Sequence, residues 1–115
     1  MTSIQQPSTT PTSADQSHVD DQLRQAVLAK KEAQLQEWSA QIEKLQATVK
    51  QVGADVRSET EKKIDALIAA RYQAGSRLEE LRTAPRETWE DLLRQSDTTF
   101  QTVADQFHSF VRQHT

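Results

Sequence analysis

The chain has 115 residues, a length that suits one domain, and only 35% of them are hydrophobic. It contains two glycines and three prolines, too few for the tight turns of a β-sandwich or an α/β fold, so the composition favours long helices. The net charge of −3 argues against binding to nucleic acid or anionic lipid. The lack of cysteine excludes disulfides and thiolate metal sites, and it suits a reducing cytoplasm.

The first 17 residues differ in composition from the rest of the chain. They are rich in Ser, Thr, Pro and Gln and contain almost nothing apolar, so burial cannot offset the entropy of ordering them. We therefore expect a disordered tail over 1–17, with Ser17 as the N-cap of a helical domain over 18–115. The segment lacks the basic and apolar regions of a secretory signal. No stretch approaches the roughly 18 consecutive apolar residues of a membrane span, so we expect a cytoplasmic protein.

Apolar residues between Val19 and Thr83 recur at heptad spacing, which predicts a helix with one apolar seam. The spacing slips by one residue between Val56 and Ile64, and such a slip marks a bend or a local unwinding. The seam residues that we expect at packing or interface positions are Leu28, Leu35, Trp38, Ile42, Leu45, Val49, Val52, Ile64, Leu67, Leu78 and Leu81.

Gly53 lies close to this slip and leaves two interpretations open. In the first, one helix continues from 18 to 83, because Val49, Val52 and Val56 carry the seam across Gly53 and an interior glycine costs only about 1 kcal/mol. In the second, a helix ends at Val52, Gly53 follows as its C′ residue, and Ser58 and Glu61 form a capping box for a new helix.

Pro85 ends the helical segment near Thr83, because the residue before a proline is pushed out of the α region. A last helix is then predicted to run to about Arg112. Its seam residues are Trp89, Leu93, Phe100, Val103, Phe107 and Phe110. The fold class is therefore all-α. It is either a long helix and a shorter C-terminal helix in an antiparallel coiled-coil hairpin, or a three-helix bundle with a break near Gly53.

The two arrangements differ in what they leave uncovered. A continuous helix over 18–83 would be about 100 Å long, and the shorter helix would cover less than half of its seam. The part from Leu23 to Leu45, with Trp38, would then be exposed unless another chain covered it. The hairpin therefore predicts a homo-oligomer, with a dimer favoured, whereas the three-helix bundle could close as a monomer.

The titratable residues do not form a pattern typical of catalysis or metal binding. His108 and His114 are six residues apart and do not share a helical face, and no Glu-x-x-His pair exists. Adjacent carboxylates such as Glu79 and Glu80 point apart on a helix, and two isolated glycines cannot build a phosphate loop. We expect no catalytic, cofactor-binding or metal-binding residue, no bound nucleic acid, and a protein that is not an enzyme.

Three segments carry a recognisable pattern: QEWSAQIEKL over 36–45, RLEEL over 77–81 and TWEDL over 88–92. Together they resemble a family of small bacterial coiled-coil proteins that are described as stress-responsive or of unknown function. The chain departs from the family pattern at Thr88, where Ala is usual, at Phe100, where a second Trp is frequent, and at Gly53. The resemblance implies a coiled-coil protein, a possible role in stress physiology and no catalytic residues.

Two functions follow from these observations. The first is a non-enzymatic coiled-coil protein that associates with itself and with partner proteins. The alternative is a phasin-like coat, in which the Phe-rich C-terminal helix docks on a hydrophobic granule or a membrane surface.

Overall fold

The computed structural model describes the backbone of residues 13–113 and the side chains of residues 20–113. The chain forms three helices, α1 (Ser13–Val49), α2 (Ala54–Arg82) and α3 (Arg86–Gln113). No strand occurs within the described range, so the all-α prediction is confirmed. Residues 1–12 of the predicted tail lie outside the described residues, whereas 13–17 belong to α1. Ser17 is therefore inside the helix and not at its N-cap.

The continuous helix over 18–83, the first of the two interpretations, does not form, because the chain turns at residues 50–53. Gly53 is the N-cap of α2, with φ −65° and ψ 156°, an extended conformation that any residue can adopt. Gly53 is thus not the left-handed C′ residue of the second interpretation. Ser58 lies within α2, so the predicted capping box does not start this helix.

Arg57 closes the turn between α1 and α2. Its Nη2 donates hydrogen bonds to the carbonyl oxygens of Lys50, at 3.0 Å, and Val52, at 3.2 Å. The last carbonyls of a helix have no partner within the helix, and a basic side chain can supply one. The turn is therefore held by one exposed arginine side chain together with backbone hydrogen bonds between residues that are close in sequence.

The turn between α2 and α3 follows the sequence-based prediction closely. α2 ends at Arg82, and α3 begins at Arg86, directly after Pro85. Arg24 of α1 reaches across to this turn, where its Nη2 donates to the carbonyl oxygen of Ala84 at 2.8 Å and approaches that of Leu81 at 3.5 Å. A side chain of α1 thus caps the end of α2, which ties the second turn to the first helix.

α2 is the helix to which both other helices pack closely. Among the described residues, no Cα of α1 lies within 8 Å of a Cα of α3. Aromatic side chains fill the wider space between these two helices. The Trp38 ring stacks on Phe107 with a centroid distance of 5.5 Å, and it lies 5.4 Å from Phe100 in a tilted arrangement. The three helices fit a helical bundle with this aromatic cluster at its centre.

The single chain covers the seam that the hairpin would have left exposed. Trp38 has only 2% of its surface accessible, because α2 folds back along α1 and α3 supplies the aromatic rings that cover it. The seam residues Leu45, Val52, Trp89 and Leu93 are partly buried against the core. The others are buried: Leu28, Leu35, Trp38, Ile42, Val49, Ile64, Leu67, Leu78, Leu81, Phe100, Val103, Phe107 and Phe110. An uncovered seam therefore no longer argues for a dimer.

Replacing Trp38 with alanine should lower the free energy of unfolding by about 3–5 kcal/mol, because it removes a buried ring that contacts Phe100 and Phe107. Urea denaturation followed by circular dichroism measures this change. Tyr72→Ala is the control. Tyr72 is an aromatic residue with 73% of its surface exposed, so its loss should change stability by no more than about 0.5 kcal/mol. Equal effects of the two substitutions would contradict the central position of Trp38.

Candidate functional site

The wide spacing between α1 and α3 leaves a groove of about 430 Å³ along the outside of the aromatic cluster. We call it the α1–α3 groove. Its lining residues are Val27, Lys30, Lys31, Gln34 and Trp38 of α1 and Leu93, Asp97, Phe100, Gln101 and Ala104 of α3. The groove exists because the bulk of the rings, and not direct contact between backbones, sets the distance between the two helices.

A buried lysine crosses the α1–α3 groove. Lys31 is 8% exposed, its Nζ lies 2.6 Å from Oδ1 of Asp97, and the same nitrogen lies 4.4 Å from the centre of the Phe100 ring. A buried ammonium group is costly unless it is paired, and both the carboxylate and the ring face compensate it. Since 62% of the Asp97 side chain is exposed, the pair sits at the solvent edge of the groove.

The chemical character of the groove is that of a binding surface. Its apolar walls are Val27, Leu93 and Ala104, and Trp38 and Phe100 lie beneath them. Two lysines and one aspartate line it, so its net charge is +1, and Lys30 forms no ion pair with any residue between 20 and 113. A ligand with apolar side chains and a carboxylate would complement these walls.

A second cluster lies where the start of α3 meets α1. The Arg24 guanidinium carbon is 5.2 Å from the centre of the Trp89 ring, and Leu23 beside it is largely exposed. The Trp89 Nε1 atom is buried and has no hydrogen-bond partner in the described part of the chain. Because Arg24 also donates to the carbonyl of Ala84, this cluster fastens the turn before α3 to α1.

The spacing of the apolar residues did not identify three polar residues that the structure buries. Lys31 lies between Leu28 and Leu35, Ser96 lies between Leu93 and Phe100, and Thr60 precedes Ile64 by four residues. Each therefore occupies a seam position that the heptad spacing reserves for an apolar side chain. Spacing alone, applied without regard to residue type, would have found all three.

Of the residues predicted for packing, the structure brings Trp38, Leu93 and Phe100 together at the groove. His108 is exposed on α3, and the side chains of His18 and His114 lie outside the described residues. Within the side chains that are described, no three His, Cys, Asp or Glu residues stand close enough together to hold a metal ion. None of the described helices is long and apolar enough to cross a membrane.

No family model, no curated protein and no solved structure matches this chain. The resemblance to the small bacterial coiled-coil family therefore stays a prediction, and so does the stress-related role that it implies. The α1–α3 groove and the turns that join the three helices are the features of the molecule that bear on its function.

Asp97→Ala should lower the free energy of unfolding by about 1–3 kcal/mol, because it leaves the buried Lys31 ammonium without its carboxylate. Adding Lys31→Met should recover much of that loss, since an apolar side chain at this position needs no partner. Chemical denaturation measures both variants.

The control is Asp91→Ala, which removes an ion pair with Arg94 in which both side chains are about 70% exposed. Exposed pairs of this kind contribute between 0 and about 1 kcal/mol, so stability should change little. If Asp97→Ala were as mild as Asp91→Ala, the pair across the groove would not stabilise the bundle.

Proposed function

We propose that this chain is a non-enzymatic helical protein that acts by associating with other helices, either a helical segment of a partner protein or a second copy of itself. The observation that carries the proposal is the α1–α3 groove, an open channel with both apolar and charged walls, aromatic rings beneath it and the unpaired Lys30 at its edge. The charged groups of the groove hold it together and attract a ligand, and they do not form an acid–base pair suited to a reaction.

An amphipathic helix is the occupant that fits this groove. Amphipathic helices commonly bind by laying a row of apolar side chains into a hydrophobic channel between helices. Val27, Leu93 and Ala104 would contact those apolar side chains, while Lys30 would attract a carboxylate on the same face of the partner. The proposed partner is therefore an acidic amphipathic helix.

The type of association, the cellular location and the physiological role that we propose are inferred from the sequence. The heptad spacing supports a coiled-coil type of association, and the absence of cysteine supports a cytoplasmic location. A role in stress physiology is supported only by the family resemblance of the segments over 36–45, 77–81 and 88–92.

A photo-crosslinking residue at Gln101, on the exposed edge of the groove, tests the proposal in cells. It should capture a defined protein, and Ala104→Glu should abolish that capture, because a carboxylate would then occupy the apolar wall and repel an acidic helix. Thr98→Glu is the matched control, since Thr98 is an exposed residue of the same helix that does not line the groove. Equal capture by both variants would show that the groove is not the binding surface.

The connection of α3 to the rest of the chain favours a second candidate function, the hydrophobic-surface coat. α3 carries Phe100, Phe107 and Phe110 on one face, is joined to α2 by three residues, and meets α1 through side chains only. Outward rotation about Thr83–Pro85 would expose this face to an apolar surface. The acids of α3 outnumber its bases, which favours an uncharged granule or a neutral lipid surface over an anionic membrane.

For the coat function, we expect the protein to float with neutral lipid vesicles or with polymer granules in a density gradient. A variant with Lys31→Cys and Asp97→Cys, joined by a thiol crosslinker, should stay in the soluble fraction because α3 cannot leave α1. The same variant without the crosslinker should float like the wild type. Flotation of the crosslinked form, or no flotation of any form, would contradict the coat function.

A further inference from the structure

The first two turns of α2 extend past the end of α1 and have no helix beside them. Ser39 and Arg71, which are in contact at 2.7 Å, are equally far from residue 55 along the chain. Leu35 and Gly75 are also equally far from residue 55, and Leu35 Cδ1 lies 3.9 Å from the position that a Cβ on Gly75 would take. In this register α1 ends beside residues 61–64, so residues 53–59 are all exposed. They include Val56, with 55% of its surface accessible.

Few residues in the sequence favour the turn that separates α1 from α2. Gly53 is the residue in 50–53 that disfavours a helix most, and it caps α2 without a side-chain hydrogen bond. The apolar seam continues through the turn, because Val49, Val52 and Val56 keep heptad spacing across it. If residues 50–53 became helical, α1 and α2 would form one helix, and its seam would run through Val49, Val52 and Val56 up to the one-residue slip before Ile64.

We propose that residues 50–53 are a hinge through which two copies of this chain exchange α1. In the exchanged dimer residues 13–82 form one helix, about 105 Å long, and α1 of each copy packs on α2 and α3 of the other. Every contact of α1 with α2 and α3 is kept, but it now joins two chains. This inference rests on the self-association in the proposed function and names its partner as a second copy.

The register of the hairpin explains why a second copy fits the overhang of α2. Two α1–α2 pairs, Ser39 with Arg71 and Leu35 with Gly75, consist of residues equally far along the chain from residue 55. If the same pairs form between two continuous helices, the twofold axis of the dimer passes beside residue 55. The segment 53–57 of one copy then lies along 53–57 of the other, antiparallel to it. Val56, exposed in the monomer, meets the Ala54–Val56 segment of the second copy and becomes covered.

Gly53→Ala is the substitution that separates the two states. A Cβ at Gly53 has no atom within 4 Å, so alanine introduces no clash in the closed form. Alanine is a poorer N-cap than glycine and a better interior helix residue, so both effects favour the continuous helix. We expect the association constant of the dimer to rise about fivefold for each of the two chains.

Gly75→Ala is the matched control. Gly75 lies inside α2, and a Cβ there would make ordinary contacts with Arg71 and Leu35, at 3.8 and 3.9 Å. The same glycine-to-alanine change thus strengthens α2 equally in the monomer and in the dimer, and it should leave the association constant unchanged. Arg57→Ala, which removes the hydrogen bonds to Lys50 and Val52, should favour the dimer like Gly53→Ala.

The experiment combines light scattering with a crosslink that reports which chain each α1 packs against. Glu32 and Arg82 form an ion pair between α1 and α2, at 2.5 Å, and the chain has no cysteine of its own. Glu32→Cys and Arg82→Cys are therefore introduced together into the wild type and into the Gly53→Ala, Gly75→Ala and Arg57→Ala variants. A thiol crosslinker is added, and a denaturing gel separates crosslinks within one chain from crosslinks between two chains.

We expect Gly53→Ala and Arg57→Ala to raise the fraction with twice the 13.1 kDa mass, and crosslinks in that fraction to join two chains. Dimers that crosslink only within each chain would overturn the exchange and leave self-association standing. Monomers in every background would overturn both. A rise with Gly75→Ala as large as with Gly53→Ala would overturn the hinge. Circular dichroism of each variant confirms that the helices are folded.

Discussion

The contact of Trp38 with Phe100 and Phe107 holds the first helix to the third, and the shape of the molecule depends on it. Backbone contact does not set the distance between α1 and α3, because among the described residues their Cα atoms stay more than 8 Å apart. The rings therefore act as spacers as well as core. Their size keeps α1 and α3 apart, and the α1–α3 groove lies in the space that results. The buried core and the proposed binding surface are thus two sides of one aromatic cluster.

Polar residues within the seam define how the helices can pair. Lys31 and Ser96 interrupt the apolar rows of α1 and α3, and Lys31 pairs with the carboxylate of Asp97 on α3. A shift of α3 along α1 would leave this ammonium buried without a partner, which costs more than the loss of an apolar contact. A polar group in a helical seam commonly selects one alignment at some cost in stability. Lys31 is placed to do this here.

The same apolar row serves two backbone paths at residues 50–53. In the closed chain the row is buried at Val49, partly buried at Val52 and exposed at Val56, in the first turn of α2. In a continuous helix the row would run through Val52 and Val56 without interruption. The contacts of α1 with α2 and α3 are the same in both, so the balance depends on the covering of Val56 and on local interactions at Gly53 and Arg57. A turn that is held by so few weak interactions is well suited to act as a hinge.

Heptad spacing and the scarcity of glycine and proline determined that the chain is helical, that a helix ends before Pro85, and that Trp38, Leu93 and Phe100 face other helices. These properties are local, or depend only on which face of a helix is apolar. The sequence by itself left open whether the helix breaks near Gly53, and the spacing of its apolar residues does not reveal that Lys31 is buried. The tertiary structure decided both, since only packing shows that α3 can cover Trp38 once α2 folds back. The distance between α1 and α3, and so the groove, depends on how three large rings fit together, which no periodicity encodes.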